Sequence, residues 1–292
     1  MKQGFNFSAY QTFSHETPFN MASHSTIGCG GNAPVCFCPH SVAETKALLS
    51  KLDADKIPYY VIGNMSNVLP PDEGTEKVLL STKNLNGMTV ENGGFAYAGA
   101  TAGALLSLCK RNGKSGAEFL SGIPCTVGGA LFMNAGAGGV YIDQIVENVL
   151  VYHRGETKLL SCKDCGYSYK QSVFMENEMV ILGASLRFVD AKDEEIQKKE
   201  TYFKSRRAHL PKGKSMGCIF KNPKEGSAGD FIERSGLKGL RVGGAFVSEK
   251  HANFIINDGT AKTADVKTLI SLIQNAVLQQ YGIRLKEEIR YI

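Results

Sequence analysis

Short apolar runs and longer amphipathic stretches alternate along most of the chain. The short runs predict strands over residues 35–38, 59–62, 78–80, 95–98, 149–152 and 179–188. Ser41, followed three residues later by Glu44, is a capping-box signature, and it predicts a helix that continues through Leu48 and Leu52. A second helix is predicted near residues 102–110. This alternation indicates a mixed α and β protein of at least two units.

The last third of the chain contains the clearest helix pattern. Within residues 263–281, apolar side chains recur every three or four positions, at Val266, Leu269, Ile270, Ile273, Val277 and Tyr281. We expect this stripe to face the core and Gly282 to end the helix. Residues 285–292 are then predicted to form a final strand.

Two other stretches are more polar. Residues 191–210 are rich in charge and predict an exposed helix, which is also the best candidate for a linker between units. The start of the chain, to about Tyr10, is polar, and we expect it to be loosely ordered.

The composition is that of an average soluble protein, with a formal net charge of +5. This mild charge suits an anionic small-molecule ligand and does not require nucleic acid. No apolar run approaches the ~20 residues of a membrane-spanning helix, and the first ten residues lack the pattern of a secretion signal. We therefore expect a cytoplasmic protein with neither membrane nor nucleic-acid partners.

The eight cysteines are scattered, as expected for reduced thiols in a cytosol. Cys162 and Cys165 form a C-x-x-C pair without a second pair or histidines at ligand spacing, so no metal is expected. Residues 28–33 fit the G-x-G-x-x-A pattern of dinucleotide-binding proteins. However, polar residues precede them and Pro34 follows, where that fingerprint requires a strand and then a helix.

Three segments carry candidate chemistry. In residues 61–67, a strand ends in a Gly-Asn-Met-Ser-Asn turn whose backbone N–H groups can converge on an anion, although most such turns are turns only. In residues 118–138, glycines allow the backbone to approach a flat ligand, a pyrophosphate or simply another backbone segment. In residues 215–223, a glycine exposes Cys218 beside Lys221 and Asn222.

Together these segments resemble the UDP-N-acetylenolpyruvoylglucosamine reductases, also called UDP-N-acetylmuramate dehydrogenases. The matching blocks are I-P-C-T-V-G-G-A from Ile123, M-N-A-G from Met133, Y-K-Q-S from Tyr169, M-G-C-I-F-K-N-P from Met216, V-S-E-K-H-A-N-F-I from Val247 and E-I-R from Glu288. They follow the order of the family, and the resemblance covers residues 26–292. It is closest to the shorter type that lacks a tyrosine-bearing loop, because little room lies between Phe174 and Cys218.

The resemblance implies an α+β fold. A vanillyl-alcohol-oxidase-type FAD-binding fold of two α/β subdomains would be followed by a C-terminal α+β substrate domain. We place the FAD-binding domain at residues 1–190, with subdomains at about 21–82 and 83–190. The substrate-binding domain then covers 200–285, and a terminal strand at 286–292 carries a catalytic glutamate.

The resemblance also implies the reaction. NADPH reduces FAD, and hydride passes from flavin N5 to the enolpyruvyl double bond of a UDP-sugar. The product would be UDP-N-acetylmuramate, a peptidoglycan precursor made in the bacterial cytoplasm. No obligate protein partner is evident.

Three catalytic residues follow from the resemblance. Cys218 stands where most members have a proton-donating serine, and a free thiol with a pKa of ~8.5 is mostly protonated at neutral pH and can still donate. Glu288 would assist protonation or stabilise the enol. Lys170 stands where the family has arginine, so it would hold charge with looser geometry than a planar guanidinium.

The remaining implied residues bind ligands. Those for FAD are Gly63, Asn64, Ser66, Asn67, Gly122, Ile123, Thr126, Gly128, Gly129, Asn134 and Gly136, and those for substrate are Tyr169, His209, Lys221 and Asn222. Cys125 replaces a family glycine, and Asn64-Met65 replaces a glycine-richer turn, so both changes put bulk near FAD.

Two other functions stay open. The first is another FAD oxidoreductase of the same superfamily, which the motifs around Cys218 disfavour. The second is a degenerate, non-catalytic protein that binds flavin or a sugar nucleotide, motivated by Lys170 and the altered turn.

Overall fold

The computed structural model describes residues 6–91 and 93–292, and these form two compact units. Unit 1 comprises the described part of Met1–Thr17 with Pro34–Asn64 and Lys77–Arg207. Unit 2 comprises Pro18–Ala33, Met65–Glu76 and Ala208–Ile292. Two segments that the sequence places in a contiguous FAD-binding domain, 18–33 and 65–76, therefore cluster with the C-terminal third of the chain.

The strands β1 to β20 follow one another in chain order. They are His15–Glu16, Phe19–Asn20, Asn32–Ala33, Cys36–Phe37, Tyr59–Ile62, Val68–Leu69, Val78–Ser81, Met88–Thr89, Gly94–Tyr97, Lys114–Ser115, Gly136–Ala137, Val140–Tyr141, Val146–His153, Glu156–Ser161, Val180–Leu186, Val189–Asp190, Arg241–Val242, Ala245–Val247, Ile255–Asn257 and Arg290–Tyr291.

The α-helices α1 to α7, again in chain order, are Met21–His24, Val42–Ala54, Ala102–Arg111, Val127–Met133, Asp193–Ser205, Ala228–Arg234 and Thr263–Tyr281. Short 3-10 helices cover Phe7–Tyr10, Glu118–Leu120, Ile142–Gln144, Cys162–Cys165 and Val173–Met175. The predicted helices near 42–52, 102–110 and 263–281 are confirmed, as are strands at all six predicted positions. None of the helices among residues 6–91 and 93–292 is long and apolar enough to span a membrane.

Unit 1 contains two larger sheets. The first has the order β1-β4-β7-β5, in which β4, β7 and β5 run parallel and β1 is antiparallel. Ser41 accepts the Glu44 N–H as the N-cap of α2, so this helix begins where the capping box predicts. Leu48, Leu49 and Leu52 of α2 are fully buried against the sheet.

The second sheet of unit 1 is antiparallel, with the order β14-β13-β15-β9-β8. Buried side chains of α3 and α4 pack in one core with residues of β9, β13 and β15. The strands of the first sheet come before residue 82 in the chain, and those of the second sheet come after it.

The start of the chain is more ordered than expected. Residues 1–5 lie outside the described part, but Phe7–Tyr10 forms a 3-10 helix and Tyr10 is only 2% exposed. The Tyr10 hydroxyl donates to Asp55, and its ring packs near Phe37. The prediction of loose order is therefore wrong for residues 7–10, because an aromatic anchor outweighs the polar composition.

The charged helix α5 belongs to unit 1, and the change to unit 2 follows Arg207. It is largely exposed, as predicted, but Ile196 is buried.

Unit 2 is built on the antiparallel sheet β17-β18-β19, with α7 packed beside it. The stripe of α7 is buried as predicted from Val266 to Val277, whereas Tyr281 at its end is 37% exposed. Tyr281 is therefore a correction to the predicted core.

The predicted final strand is also mostly wrong. Only Arg290–Tyr291 forms a strand, β20, which pairs in parallel with β6, and Glu288 precedes it. Glu287 instead bridges to Phe220, and the N–H of Glu288 donates to the carbonyl of Ile219. The segment changes partner between Glu288 and Arg290, so it cannot continue as one strand.

Candidate active site

A cleft of about 380 Å³ opens in unit 1 where two helices begin. Thr101 and Thr126, the N-caps of α3 and α4, pair in an antiparallel bridge and both line this cleft. Asn64 follows β5 and Lys83 follows β7, so the carboxyl ends of parallel strands deliver them. Ligands of parallel sheets bind at this end. The remaining lining residues are Asn86, Met88, Gly99 and Ala104.

Gly63 and Asn64 lie directly against the segment that carries Thr126. A Cβ atom on Gly63 would stand 2.5 Å from the Thr126 hydroxyl oxygen, so only glycine allows this approach. Asn64 fixes the neighbouring loop by donating from Nδ2 to the carbonyl of Pro124 at 2.9 Å. Ser66 and Asn67 of the same predicted loop belong to unit 2.

The N–H groups in the first turn of α4 donate to acceptors within unit 1. Val127 and Gly128 donate to the carbonyls of Ala100 and Ala98, and Gly129 donates to the Thr126 hydroxyl. A Cβ on Gly128 would stand 2.8 Å from that of Ala98. Gly128 therefore packs closely against Ala98.

The donor set of the cleft fits a flavin nucleotide. The hydroxyls of Thr101 and Thr126 each accept a backbone N–H as helix caps, which leaves each O–H able to donate. Lys83 supplies a positive charge for a diphosphate, and Met88 adds apolar surface for a ring. No group of three or more His, Cys, Asp or Glu residues in the described part of the chain is placed to hold a metal ion.

Tyr169 and Lys170 occupy the tip of a tight turn in unit 1. Ser168 and Gln171 exchange backbone hydrogen bonds of 3.2 Å across it. Lys170 has φ 55°, a left-handed conformation that costs a non-glycine residue roughly 1–2 kcal/mol. Tyr169 is 41% exposed, and its ring meets that of Tyr141 edge to face at 6.3 Å.

The same region holds a second cation that the sequence analysis did not identify. A Cβ on Gly122 would stand 3.3 Å from Nε of Arg207, so this side chain lies over Gly122. Burial raises the pKa of the Cys125 thiol to about 12, although the positive charges of Arg207 and Lys170 act to lower it. Cys125 is therefore a neutral thiol with two cations in its surroundings. Ile123, also implied at the cofactor, packs partly buried against the core of unit 1.

Asn134 and Gly136 follow α4, and their contacts are internal to unit 1. Asn134 is 1% exposed, and its side-chain amide bonds to Asp143 and Ser168. Gly136 begins β11, where a Cβ would stand 2.2 Å from the carbonyl oxygen of Val140 in β12. These contacts shape the hairpin and the turn at Lys170.

In unit 2, Cys218 and Glu288 are on adjacent segments. Cys218 forms an antiparallel bridge with Phe254, and the next residue, Ile219, accepts the Glu288 N–H at 2.8 Å. Both residues are partly exposed. Asn253 holds the same segment, because its buried side chain accepts the Phe220 N–H and donates to the Phe220 carbonyl.

Asn67 contacts Glu288 as well. Its Nδ2 donates to the Glu288 carbonyl at 3.0 Å, and its own carbonyl accepts the Arg290 N–H at 2.9 Å. A residue expected at the cofactor therefore holds the backbone of the expected catalytic glutamate.

Three of the substrate residues implied by the resemblance lie in unit 2, namely His209, Lys221 and Asn222. The N–H of Lys221 donates to the Lys286 carbonyl, and Asn222 Oδ1 accepts the Ala228 N–H at the start of α6. His209 stacks on His251, with ring centres 6.2 Å apart. Burial lowers the pKa of His251, and the neighbouring His209 lowers it further.

The structure adds candidates that the sequence did not single out. They are the side chains of Lys83, Asn86, Thr101, Arg207 and Asn253, and the contact of Asn67 with Glu288. Lys83 and Asn86 follow the strand predicted at 78–80, and Thr101 precedes the helix predicted near 102–110, so their positions at the ends of elements could have signalled them. No local pattern signals Arg207, because its neighbours in space are distant in sequence.

Comparisons with known proteins find relatives for both the N-terminal and the C-terminal part of the chain. Residues 33–160 match the family described as FAD binding domain, and residues 209–292 match UDP-N-acetylenolpyruvoylglucosamine reductase, C-terminal domain. The reductase of Carboxydothermus hydrogenoformans is 38% identical over 277 residues, which is 93% of this chain and 92% of the relative. The reductase of Chlamydia pneumoniae is 38% identical and covers 92% of this chain and 89% of the relative.

A solved structure gives the same result. The crystal structure of UDP-N-acetylenolpyruvylglucosamine reductase from Thermus caldophilus superposes with a TM-score of 0.82 and 32% identity, over 96% of this chain and 98% of that one. The expected fold class, an FAD-binding fold with a C-terminal α+β domain, is confirmed. The chain therefore belongs to the UDP-N-acetylenolpyruvoylglucosamine reductase family of FAD oxidoreductases.

Proposed function

We propose that the protein reduces UDP-N-acetylenolpyruvoylglucosamine to UDP-N-acetylmuramate, with NADPH as the reductant and FAD as the bound cofactor. The observation that carries the proposal is the hydrogen bond from the Glu288 N–H to the carbonyl of Ile219, the residue after Cys218, which brings a thiol and a carboxylate onto adjacent segments of unit 2. Membership of the reductase family supports the substrate, because the relatives carry its name.

Unit 1 would hold the cofactor. Thr101, Thr126 and Asn64 offer hydrogen-bonding groups, and Lys83 offers the charge that a diphosphate needs. Bound there, FAD would supply the hydride chemistry that reduction of the enolpyruvyl double bond requires. The protein's part is to place the substrate and to manage its charge and its proton.

Cys218 would donate the proton. Reduction of the double bond leaves negative charge on the carbon next to the substrate carboxylate, and a thiol S–H can protonate that carbon. The thiol donates in its neutral form. Its partial exposure leaves the S–H accessible to a substrate, and backbone hydrogen bonds hold its segment in place. Glu288 would assist by orienting the thiol or stabilising the enol form.

Lys170 would stabilise the developing enolate by its charge. Lysine presents a point charge and not a planar fork, so the guanidinium of Arg207 is a natural complement in the same unit. Tyr169, His209, Lys221 and Asn222 are the remaining candidates for binding the sugar nucleotide. A place in the bacterial cytoplasm follows from the reaction, because UDP-sugar precursors and NADPH are soluble cytoplasmic compounds.

The test is a two-stage absorbance measurement on the purified protein loaded with FAD. Addition of NADPH without oxygen should bleach the visible absorption band, and addition of the enolpyruvyl UDP-sugar should restore it, with UDP-N-acetylmuramate formed in equal amount. Bleaching without recovery would identify a flavoprotein of another specificity. A protein that takes up no FAD would contradict the proposal altogether.

A further inference from the structure

The side-chain amide of Asn134 makes three hydrogen bonds, all of them to protein atoms. Its Nδ2 donates to the carbonyl of Ser168 at 3.0 Å and to Asp143 Oδ2 at 3.3 Å, and its Oδ1 accepts the Asp143 N–H at 3.3 Å. With 1% exposure, this amide has no surface to offer a ligand. Its contacts are those of a structural clamp.

The clamp joins the end of α4 to the turn that carries Lys170. Ser168, which Asn134 holds through its carbonyl, is the first residue of that turn. On the other side of the turn, the buried Ser172 donates from its hydroxyl to the Phe132 carbonyl of α4 at 2.6 Å. Both ends of the turn are therefore fixed to the same helix, one by Asn134 and one by Ser172.

The turn needs such anchoring because it is strained and exposed. Lys170 has φ 55°, whereas turns with positive φ at this position favour glycine or asparagine. Ser168, Tyr169 and Gln171 are all exposed, so little packing holds the backbone in place. Backbone strain of this kind persists only where surrounding contacts enforce it.

Asparagine suits position 134 for two reasons. Asn134 itself has φ 43° and ψ 59° as the C-cap of α4, and asparagine tolerates this left-handed conformation better than most residues. Its amide also donates twice and accepts once, which matches a carbonyl, a carboxylate oxygen and an N–H. Aspartate would place an oxygen against both acceptors.

We propose that Asn134 is a positioning residue for Lys170: its amide anchors the base of the turn at Ser168 and so fixes where the lysine charge stands during reduction. The proposal rests on the role of Lys170 in the proposed function. It replaces the expectation that Asn134 binds FAD.

The experiment uses two variants of the full-length protein loaded with FAD. Asn134→Gly keeps a residue that accepts φ 43° but removes the amide, and Asn134→Asp keeps the size but puts an oxygen opposite Ser168. For both we expect FAD affinity and bleaching by NADPH to stay within about threefold of the parent, and kcat/KM for the enolpyruvyl substrate to fall about tenfold or more.

A double-mutant cycle separates positioning from general damage. If Asn134 acts through Lys170, then Asn134→Gly should add little to the loss caused by Lys170→Met, because the charge to be positioned is already gone. Independent losses that multiply would overturn the proposal.

Hydrogen exchange tests the anchor without any turnover. Asn134→Gly should raise amide exchange in residues 168–172 about tenfold or more, while exchange in α7 stays unchanged. The matched control is Asn177→Gly, which removes another amide bond, from Nδ2 to the Val173 carbonyl, just beyond the turn. We expect the control to leave both kcat/KM and exchange at 168–172 within about twofold.

The outcomes distinguish this proposal from the proposed function. A parent protein that fails to reduce the substrate contradicts the proposed function, while the exchange result still decides whether Asn134 anchors the turn. Unchanged exchange at 168–172 together with a loss of FAD affinity would overturn the anchor and return Asn134 to the cofactor.

Discussion

At the scale of single residues, the thiol of Cys218 makes the sharpest prediction. Cys218→Ala should leave bleaching by NADPH nearly intact and slow recovery with the enolpyruvyl substrate about 10²-fold, since a general acid is lost. Cys218→Ser should retain much of the second stage, because a hydroxyl can also donate. Stopped-flow absorbance measures both stages, and an alanine variant that recovers at the parental rate would refute the assignment.

The imidazole of His251 is expected to make the free energy of unfolding depend on pH. Asn253 donates its N–H to Nδ1 of His251, which requires an unprotonated nitrogen, and burial and the neighbouring His209 lower the pKa of the His251 ring. Asp230 opposes this shift and Lys238 adds to it. The unfolded chain therefore binds the His251 proton more readily than the folded chain. The contribution of His251 to the free energy of unfolding is fully present above about pH 6.5, and it is lost as the pH falls through the lowered pKa of the folded state.

His251→Asn tests this, because an amide oxygen can accept the same N–H but does not titrate. We expect the urea midpoint of the parent to fall more than that of the variant between about pH 7.5 and about pH 5.5. Parallel pH profiles would show that other groups account for the acid sensitivity.

Local composition marked candidate residues in the sequence, whereas the contacts of those residues depend on the fold. The motif around Cys218 and the turn at Gly63 were recognisable from local composition, and in the structure Cys218 pairs with Phe254 while Gly63 lies against Thr126. Asn67 and Asn134 were expected at the cofactor, yet their amides bind backbone of other segments. A side-chain amide can serve a ligand or a loop equally well, and only the fold decides which.

At the scale of secondary structure, the segment after α7 depends on partners far away in the chain. Asn67 holds the Glu288 carbonyl, so it should act on catalysis through the position of that residue. Asn67→Asp puts an oxygen opposite this carbonyl, and we expect kcat to fall about tenfold, the equivalent of one lost hydrogen bond. Asn64→Asp is the matched comparison, because Asn64 lines the cleft of unit 1 and should change FAD affinity instead. Equal effects of both variants on FAD affinity, with kcat unchanged, would argue against this role of Asn67.

Helix α7 offers a test of the hydrophobic pattern itself. Ile273 is 1% exposed and its neighbour Leu272 is 42% exposed. Ile273→Ala should lower the free energy of unfolding by about 2–5 kcal/mol, because it leaves a cavity, whereas Leu272→Ala should change it by less than about 0.5 kcal/mol. Urea denaturation measures both, and similar losses would mean that the exposed face of α7 is covered in solution.

The pattern of α7 was decisive because nineteen residues repeat one period and a glycine ends it. The final eight residues were misjudged for the opposite reason. Their apolar content is typical of a strand, but their hydrogen bonds go to Ile219 and Asn67 in turn. Register with such distant segments leaves no trace in local periodicity.

At the scale of the whole molecule, unit 2 is assembled from three separate stretches of the chain. Ile27, Cys29 and Leu69, from the two early stretches, are at most 4% exposed and belong to the same core as α7. The resemblance implied a contiguous substrate-binding domain at residues 200–285, because nothing local marks residues 18–33 and 65–76 as part of it.

We therefore expect that the fragment 208–292 does not fold on its own, because it is only the C-terminal stretch of unit 2 and lacks part of the core of that unit. Removing Ile27 and Leu69 forfeits about 1.5–3 kcal/mol for each buried side chain, and the loss of β6 also leaves β20 without its partner. Against a total stability of about 5–15 kcal/mol, this should prevent cooperative folding. Thermal and urea unfolding of the fragment should show no sharp transition, whereas the full chain should show one. A fragment that unfolds cooperatively, with dispersed amide resonances, would mean that residues 18–33 and 65–76 only cover a core that is complete without them.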